Sequence, residues 1–148
     1  MSYLWQVFKH KWFLIVAGLR VGGIPFYRLL IHDWTKFLPV EFIPYRKKFT
    51  LKNCPKEQWE KAWEHHWKNN AHHWQFWVVG NQPFDMGESY AREMVADWLA
   101  ASRGYHNHWN IQAWLDANFK KMNLHPWTIR RLNKILIEQN VRSPWTDL

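Results

Sequence analysis

The 148-residue sequence predicts an all-α fold, one compact helical bundle spanning residues 1–148. Two observations carry this. Apolar residues recur at three- and four-residue spacing, the signature of helices with one buried face. No stretch shows the sustained alternation of Val, Ile and Thr that marks strands. A third observation bounds how the fold is held. The single Cys54 excludes a disulfide framework or a thiolate zinc finger and fits a reducing compartment. A chain of this length buries enough core to stand without either.

The first helix is expected from Ser2 to Val21, with Val7, Phe8, Trp12, Ile15, Val16 and Leu19 as its apolar positions and Gly22-Gly23 as its stop. Its apolar run, Trp12 to Leu19, is too short to span a bilayer. Arg20 follows in place of a small-residue cleavage pattern, so the run reads as a core helix of a cytoplasmic protein. Pro25 opens a second helix that carries Leu29, Leu30 and His32-Asp33. Leu38 to Phe49, with Pro39 and Pro44, reads as a short helix or a turn-rich connection. Asn53 is the expected cap of the next helix, with Pro55 just inside it. That helix runs through Trp59, Trp63 and His66, and reaches His73 if Asn69-Asn70 do not break it. Asn81 to Gly87 is a loop, and Ser89 to Ser102 a helix ended by Gly104. Ile111 to Lys121 and Pro126 to Asn140 are the last two helices.

The net charge of +8 points to an anionic partner, a phosphorylated small molecule such as a nucleotide or else nucleic acid. A solvated basic surface is the plainer reading. The thirteen Trp are expected to fill the core with their ring N–H groups near polar partners. A membrane-interface belt needs a long apolar span or a clean amphipathic face; the sequence shows neither, so no membrane partner is expected.

The chemistry lies in a polar set: His10, His32-Asp33, His65-His66, His72-His73 and Asp97, each in a segment that reads as helix. Imidazoles and carboxylates aimed inward from several helices build a metal site. Adjacent helical residues differ by about 100°, so His32 and Asp33 reach one ion only at a helix end or across a core-facing edge. With His10 and Asp97 they supply two imidazoles and two carboxylates, a set suited to a divalent Mn, Fe, Co, Ni or Zn ion. Glu93 lies one helical turn before Asp97 and faces the same pocket. Arg92 should point away. Glu41 either faces the pocket or solvates the connection.

His65-His66 and His72-His73 stand seven residues apart. On an unbroken helix this spacing returns to within about 20°, so at least one member of each pair should face the pocket. His66, His72 and His73 are therefore candidate ligands of the same ion, or of a second one bridged by Asp33. Their other reading is as histidines that contact substrate or support a single ion. His106, His108 and His125 read as ordinary histidines.

The ordered set His10, His32-Asp33 and Asp97 on an all-helical scaffold resembles the HD-domain superfamily of metal-dependent phosphohydrolases. His32-Asp33-Trp34-Thr35-Lys36 is similar to the His-Asp-x-x-Lys element of its HD-GYP phosphodiesterase branch, whose Gly-Tyr-Pro loop is absent here. A closer resemblance is to a small family from phages and bacteria that has no assigned reaction. It is carried by His10 to Trp12, His32 to Phe42, Asn70 to Trp74 and Glu93 to Trp98.

The resemblance implies an HD-type bundle that hydrolyses a nucleotide or related phosphoester through a metal-activated water. It assigns Asp33 to hold the metal and orient that water, Lys36 to neutralise phosphate charge, and Glu93 to act as general acid or base. Lys36 also reads as a surface lysine at a helix C-terminus, and Glu93 as the carboxylate that orients a ligand histidine. Two other classes fit the sequence. One is a di-iron oxygenase on the same scaffold. The other is a basic phage-type inhibitor with a structural metal, binding through Arg46-Lys47-Lys48 and Arg130-Arg131.

Overall fold

The first helix buries two different stretches of its length. In the computed structural model, which describes residues 2–146, α1 runs Tyr3–Val21 with Ser2 as its side-chain cap. Tyr3 and Val7 join a small core with Tyr45 and Ala62. Leu14, Ala17 and Val21 enter the main core. His10 falls between the two, so the helix itself carries a polar residue to the seam where the cores meet.

Seven α-helices make up most of the described chain, and the fold is all-α. They are α1, α2 (Phe26–Ile31), α3 (Pro39–Arg46), α4 (Lys56–Lys68), α5 (Glu88–His106), α6 (Gln112–Asn118) and α7 (Pro126–Glu138). The main core is α1 packed on α5, with α7 closing the far side of α5 through Leu132, Ile135 and Leu136. Helices α3 and α4 pack together over the small core. None of the helices is long and apolar enough to cross a membrane.

Several boundaries differ from the sequence expectation, each for a local reason. Helix α2 stops at Ile31: His32 is extended (ψ 133°) and Asp33 is left-handed (φ 53°). Asp tolerates that conformation better than most residues. The His32-Asp33 pair therefore stands past the helix end, and Lys36 lies on a 3-10 turn, Trp34–Phe37. Helix α4 ends at Lys68, so the register that carried the seven-residue argument to His73 does not exist. The Asn70 side chain bonds the His66 carbonyl at 2.8 Å and Thr35 Oγ1 at 2.9 Å, capping the helix and turning the chain inward. Pro55, not Asn53, occupies the cap position of α4, without a side-chain bond.

Two further departures concern turns. Val78–Val79 and Gln82–Pro83 pair as a minimal hairpin, β1 and β2, around Gly80-Asn81, where no strand was expected. Helix α5 passes through Gly104 and ends at left-handed Asn107. The Trp expectation holds in part. Of the thirteen Trp, Trp145 is buried, Trp74, Trp77, Trp98 and Trp109 pack half-buried against the main core, Trp59 and Trp63 against the small one, and the other six lie outside both.

The α1–α2 contact depends on Gly18, where an added Cβ would come within 2.5 Å of a Leu29 methyl. Leu29 is itself buried and has no room to turn away. Gly18→Val should destabilise the fold by about 1–3 kcal/mol through overpacking. Combining it with Leu29→Ala should recover part of that loss. Urea unfolding of the two single variants and the double variant measures the coupling; additive losses would show that the two residues do not share this contact.

Candidate metal centre

At the seam between the two cores, five structural segments deliver polar side chains to one point. α1 brings His10, and α5 brings Glu93 and Asp97 from one face, four residues apart. The turn after α2 brings His32 and Asp33. The end of α4 brings His66, and the turn after it His72 and His73. The left-handed Asp33 explains how adjacent residues converge: the backbone reversal does what about 100° per helical residue cannot.

Asp33 is the hub. Its Oδ1 lies 3.3 Å from His66 Nε2 and 3.4 Å from both His32 Nε2 and His72 Nε2. Its Oδ2 lies 2.6 Å from Lys36 Nζ and 3.9 Å from His10 Nε2. Asp97 Oδ1 is 2.9 Å from His10 Nε2 and 3.4 Å from His32 Nε2. The His32 and His72 rings stack at 4.0 Å, and His73 packs against His66 and His72 at 4.8 and 4.2 Å between ring centroids.

These spacings match ligands that share an ion. Donors about 2.1 Å from a metal sit about 3.0–3.4 Å from one another in octahedral or tetrahedral arrangements. The hydrogen-bond geometry points the same way. Asp33 Oδ1 and the Nε2 atoms of His10, His32, His72 and His73 are buried and lack hydrogen-bond partners. One such orphan costs about 1–3 kcal/mol; His10 Nε2 faces Asp97 Oδ1 at 2.9 Å, and the others gather without a well-aligned partner, an arrangement that suits a shared cation. The donor atoms form three overlapping groups: His10, His32, Asp33 and Asp97; Asp33, His66, His72 and His73, joined to the first through Asp33; and His32, His72 and Glu93.

Behind the ligands stands a layer of carboxylates. Glu93 Oε1 is 2.9 Å from His32 Nδ1, which turns His32 Nε2 toward Asp33 and Asp97. Glu93 Oε2 accepts from Arg28, whose Nε lies at 2.9 Å and whose guanidinium lies 3.8 Å from the Tyr90 ring centroid. Both Glu93 oxygens are thus engaged, which suits orientation of His32 and leaves none free as the general acid or base the resemblance suggested. Glu41 repeats the device. It is fully buried and reaches His66 Nδ1 at 2.8 Å and His65 Nδ1 at 2.6 Å. Sequence reasoning left Glu41 undecided; its place one turn into a Pro-initiated helix was the available signal. His65 itself stays outside the cluster. Arg92 turns away as expected, to Glu88, Glu138 and the Val21 carbonyl.

The charges decide whether a cation suits these residues. Four carboxylates (Asp33, Glu41, Glu93, Asp97) face two fixed cations (Lys36, Arg28), leaving −2 when every histidine is neutral. One divalent ion cancels this; so do two protons. The protons have defined places in the chain alone. Burial pulls the His32 pKa down, but the Asp33 charge and the adjoining Asp97 and Glu93 carboxylates outweigh it and hold it well above its usual value. His66 is raised likewise, against burial, by Asp33 and Glu41. Burial pushes the Asp33 carboxyl up, but His32, Lys36 and His66 keep it well below the carboxylate range. Asp97 is held low against burial by His10 and His32. His72 and His73 are different: burial and neighbouring imidazolium charge hold both down, His73 at about 3, so each offers a lone pair.

Two cavities open from this cluster. One of about 230 Å³ is lined by Tyr3, Lys36, Tyr45 and His66. The other, about 690 Å³, is walled by Trp63, Trp74, Trp98 and Trp114. His73 and Asp97 line both.

The fold and site define an all-α protein with a buried histidine–carboxylate cluster at the floor of an aromatic cavity. The chain belongs to a family of unknown function, DUF5662, whose model matches residues 1–138 and so contains the whole cluster. No curated protein and no solved structure matches it.

Two predictions follow from the charges. Asp33→Asn keeps a residue that tolerates the left-handed backbone, and Glu41→Gln keeps its hydrogen-bonding shape. Metal titration by calorimetry should show binding abolished in the first and weakened about 10–100-fold in the second, the usual effect of removing a ligand's carboxylate support. Unchanged affinity in both would remove Asp33 from the centre.

The chelator-treated protein should be most stable near pH 6.5, the ordinary His value. Below it, His72 and His73 take protons only on unfolding, so stability falls with pH. Above it, His32 and His66 hold protons the unfolded chain releases, so stability falls as pH rises through their raised pKa values. Thermal melts across pH 4–9 test this, and a stability that climbs steadily to pH 9 would contradict it.

Proposed function

We propose that the chain is a metal-dependent phosphohydrolase of HD type, acting on a nucleotide or a related phosphoester. The observation that carries this reading is the convergence of unpartnered His Nε2 atoms on Asp33 Oδ1, beside a lysine and at the floor of an open cavity. A divalent ion bound there supplies Lewis acidity and lowers the pKa of water toward neutrality. His10, His32, Asp33 and Asp97 form its principal donor set, with His66, His72 and His73 on the other side of Asp33.

The chain's own residues set the remaining conditions. Lys36 keeps Asp33 ionised and oriented and places positive charge on the wall of the smaller cavity, where a phosphate group is attracted. Glu93 and Glu41 fix the rings of His32 and His66, so their Nε2 atoms face the reaction point without rotameric search. The Trp walls of the larger cavity suit a planar base, which stacks on indole at about 1–3 kcal/mol per ring. Its volume suits a nucleoside-sized ligand.

One observation favours a second reading, oxygen activation by two irons: Asp33 belongs to two of the donor groups, so it would help to hold both ions if two were bound. With two divalent ions the cluster's −2 becomes +2, which itself calls for an anionic ligand such as phosphate.

A screen of nucleoside mono-, di- and triphosphates with Mn, Fe, Co, Ni and Zn tests the proposal by released phosphate. Release should require the ion and fall by about 100-fold or more in His32→Ala and Asp33→Asn with the fold retained. Fully metallated protein that releases no phosphate from any nucleotide, but consumes oxygen with iron bound, would overturn hydrolysis in favour of the second reading.

A further inference from the structure

The chain's charge is not spread evenly. Residues 1–56 carry ten Lys and Arg against two acids, and residues 57–148 carry ten against ten, so the whole +8 resides in the first 56 residues. The two acids are Asp33 and Glu41, both buried in the cluster. The surface of this segment is therefore basic with no acidic group.

It is also apolar on one side. On α1, at about 100° per residue, Trp5, Phe8, Trp12, Val16 and Leu19 fall within about 80° of arc. These five are 40–65% exposed. They point away from the core: His10 lies roughly 160° around the helix from Trp12. Phe26, Tyr27, Leu30 and Ile31 of α2 are exposed as well, and so are Trp34, Phe37, Val40 and Ile43 of the following turn and α3. The pieces join. Phe8 and Phe37 lie 6.0 Å apart, and Lys11 bonds the His32 carbonyl at 3.0 Å, tying the end of α2 to the Trp12 side of α1.

Thirteen large apolar side chains, each about half exposed, present on the order of 1,000 Å². The largest apolar patch on an ordinary monomer is about 300–600 Å². The sequence expectation of no membrane partner rested on the lack of a clean amphipathic face, and here such a face is assembled from three elements.

We infer that this face docks on an anionic lipid surface, with α1 and α2 lying in the interface plane. Charge complementarity selects this occupant. Arg20 follows Leu19 directly, and Arg46 lies one turn on from Ile43; both are exposed. Among the described residues neither forms an ion pair. A two-fold contact with a second copy would bring the same patch against itself, cation rim facing cation rim with no acid to offset it. Anionic headgroups meet that rim, at about 1 kcal/mol per Lys or Arg near the surface. Trp favours the headgroup level. Docking leaves the metal cluster and its cavities on the opposite side of α1, so the inference stands independently of the reaction.

The test is sedimentation of the full chain with vesicles of phosphatidylcholine alone or mixed with phosphatidylglycerol, with light scattering to read the association state. The protein should pellet with the anionic vesicles about tenfold more than with neutral ones, and salt should reverse this. Trp12→Glu, and separately Arg20→Glu with Arg46→Glu, should each lower partition about tenfold with unchanged thermal melts. Failure to pellet with anionic vesicles would overturn the inference. So would a stable dimer that Trp12→Glu dissociates, because the face would then belong to a second copy.

Discussion

The structure turns on one buried carboxylate. Asp33 sits at 4% exposure where the two hydrophobic cores meet, within 3.3–3.9 Å of four histidine Nε2 atoms and 2.6 Å from Lys36. A carboxylate buried alone costs several kcal/mol. It is tolerable here because four of the five segments around it contribute a counter-group, α1 through His10, α4 through His66, the turn after α4 through His72, and its own segment through His32 and Lys36, while α5 adds the carboxylates Glu93 and Asp97. The cores pack around this requirement. Tyr3 and Val7 lie on one side of His10 along α1 and Leu14 on the other, so the helix crosses from one apolar cluster to the next through the polar seam.

The outer layer follows the same logic. Glu41 and Glu93 each hold a histidine by Nδ1 and leave Nε2 directed inward, the arrangement by which proteins fix metal-binding imidazoles. Arg28 then neutralises Glu93 and is itself covered by Tyr90. The remaining −2 is the same whether two imidazolium protons or one divalent ion cancels it, but a divalent ion would also give the unpartnered nitrogens of His72 and His73, which are held neutral, a shared partner.

Much of this was legible in the sequence, and the parts that were not have physical reasons. Helix periodicity and the Gly22-Gly23 stop located α1, and the residues His10, His32, Asp33 and Asp97 stood out by type and order. The register arguments did not transfer. Nothing in Trp34-Thr35-Lys36 announces that the chain reverses at Asp33, because a positive φ at Asp leaves no composition signal. The Asn69-Asn70 pair did carry one, as a capping site, and the seven-residue argument held only if that pair did not break the helix. His66, His72 and His73 meet by a turn and not by a helical stripe. Glu41 could not be placed, since its partner His65-His66 pair lies on another element. The Trp residues were read half correctly. Trp145 is core and six others pack against the two cores at partial burial, while the rest cover the surface, because the centre of the main core is filled by Leu, Ile, Ala and Met.

The account's central claim is that Asp33 and its histidines form a metal centre. Elemental analysis of the chain purified without chelator, followed by X-ray absorption at the edge of whichever metal is found, tests it most directly. The account predicts a stoichiometric divalent ion whose nearest shell mixes nitrogen and oxygen at about 2.0–2.2 Å, with imidazole scattering beyond it. A chain that takes up no divalent ion, or one whose bound ion shows no imidazole scattering, would contradict it.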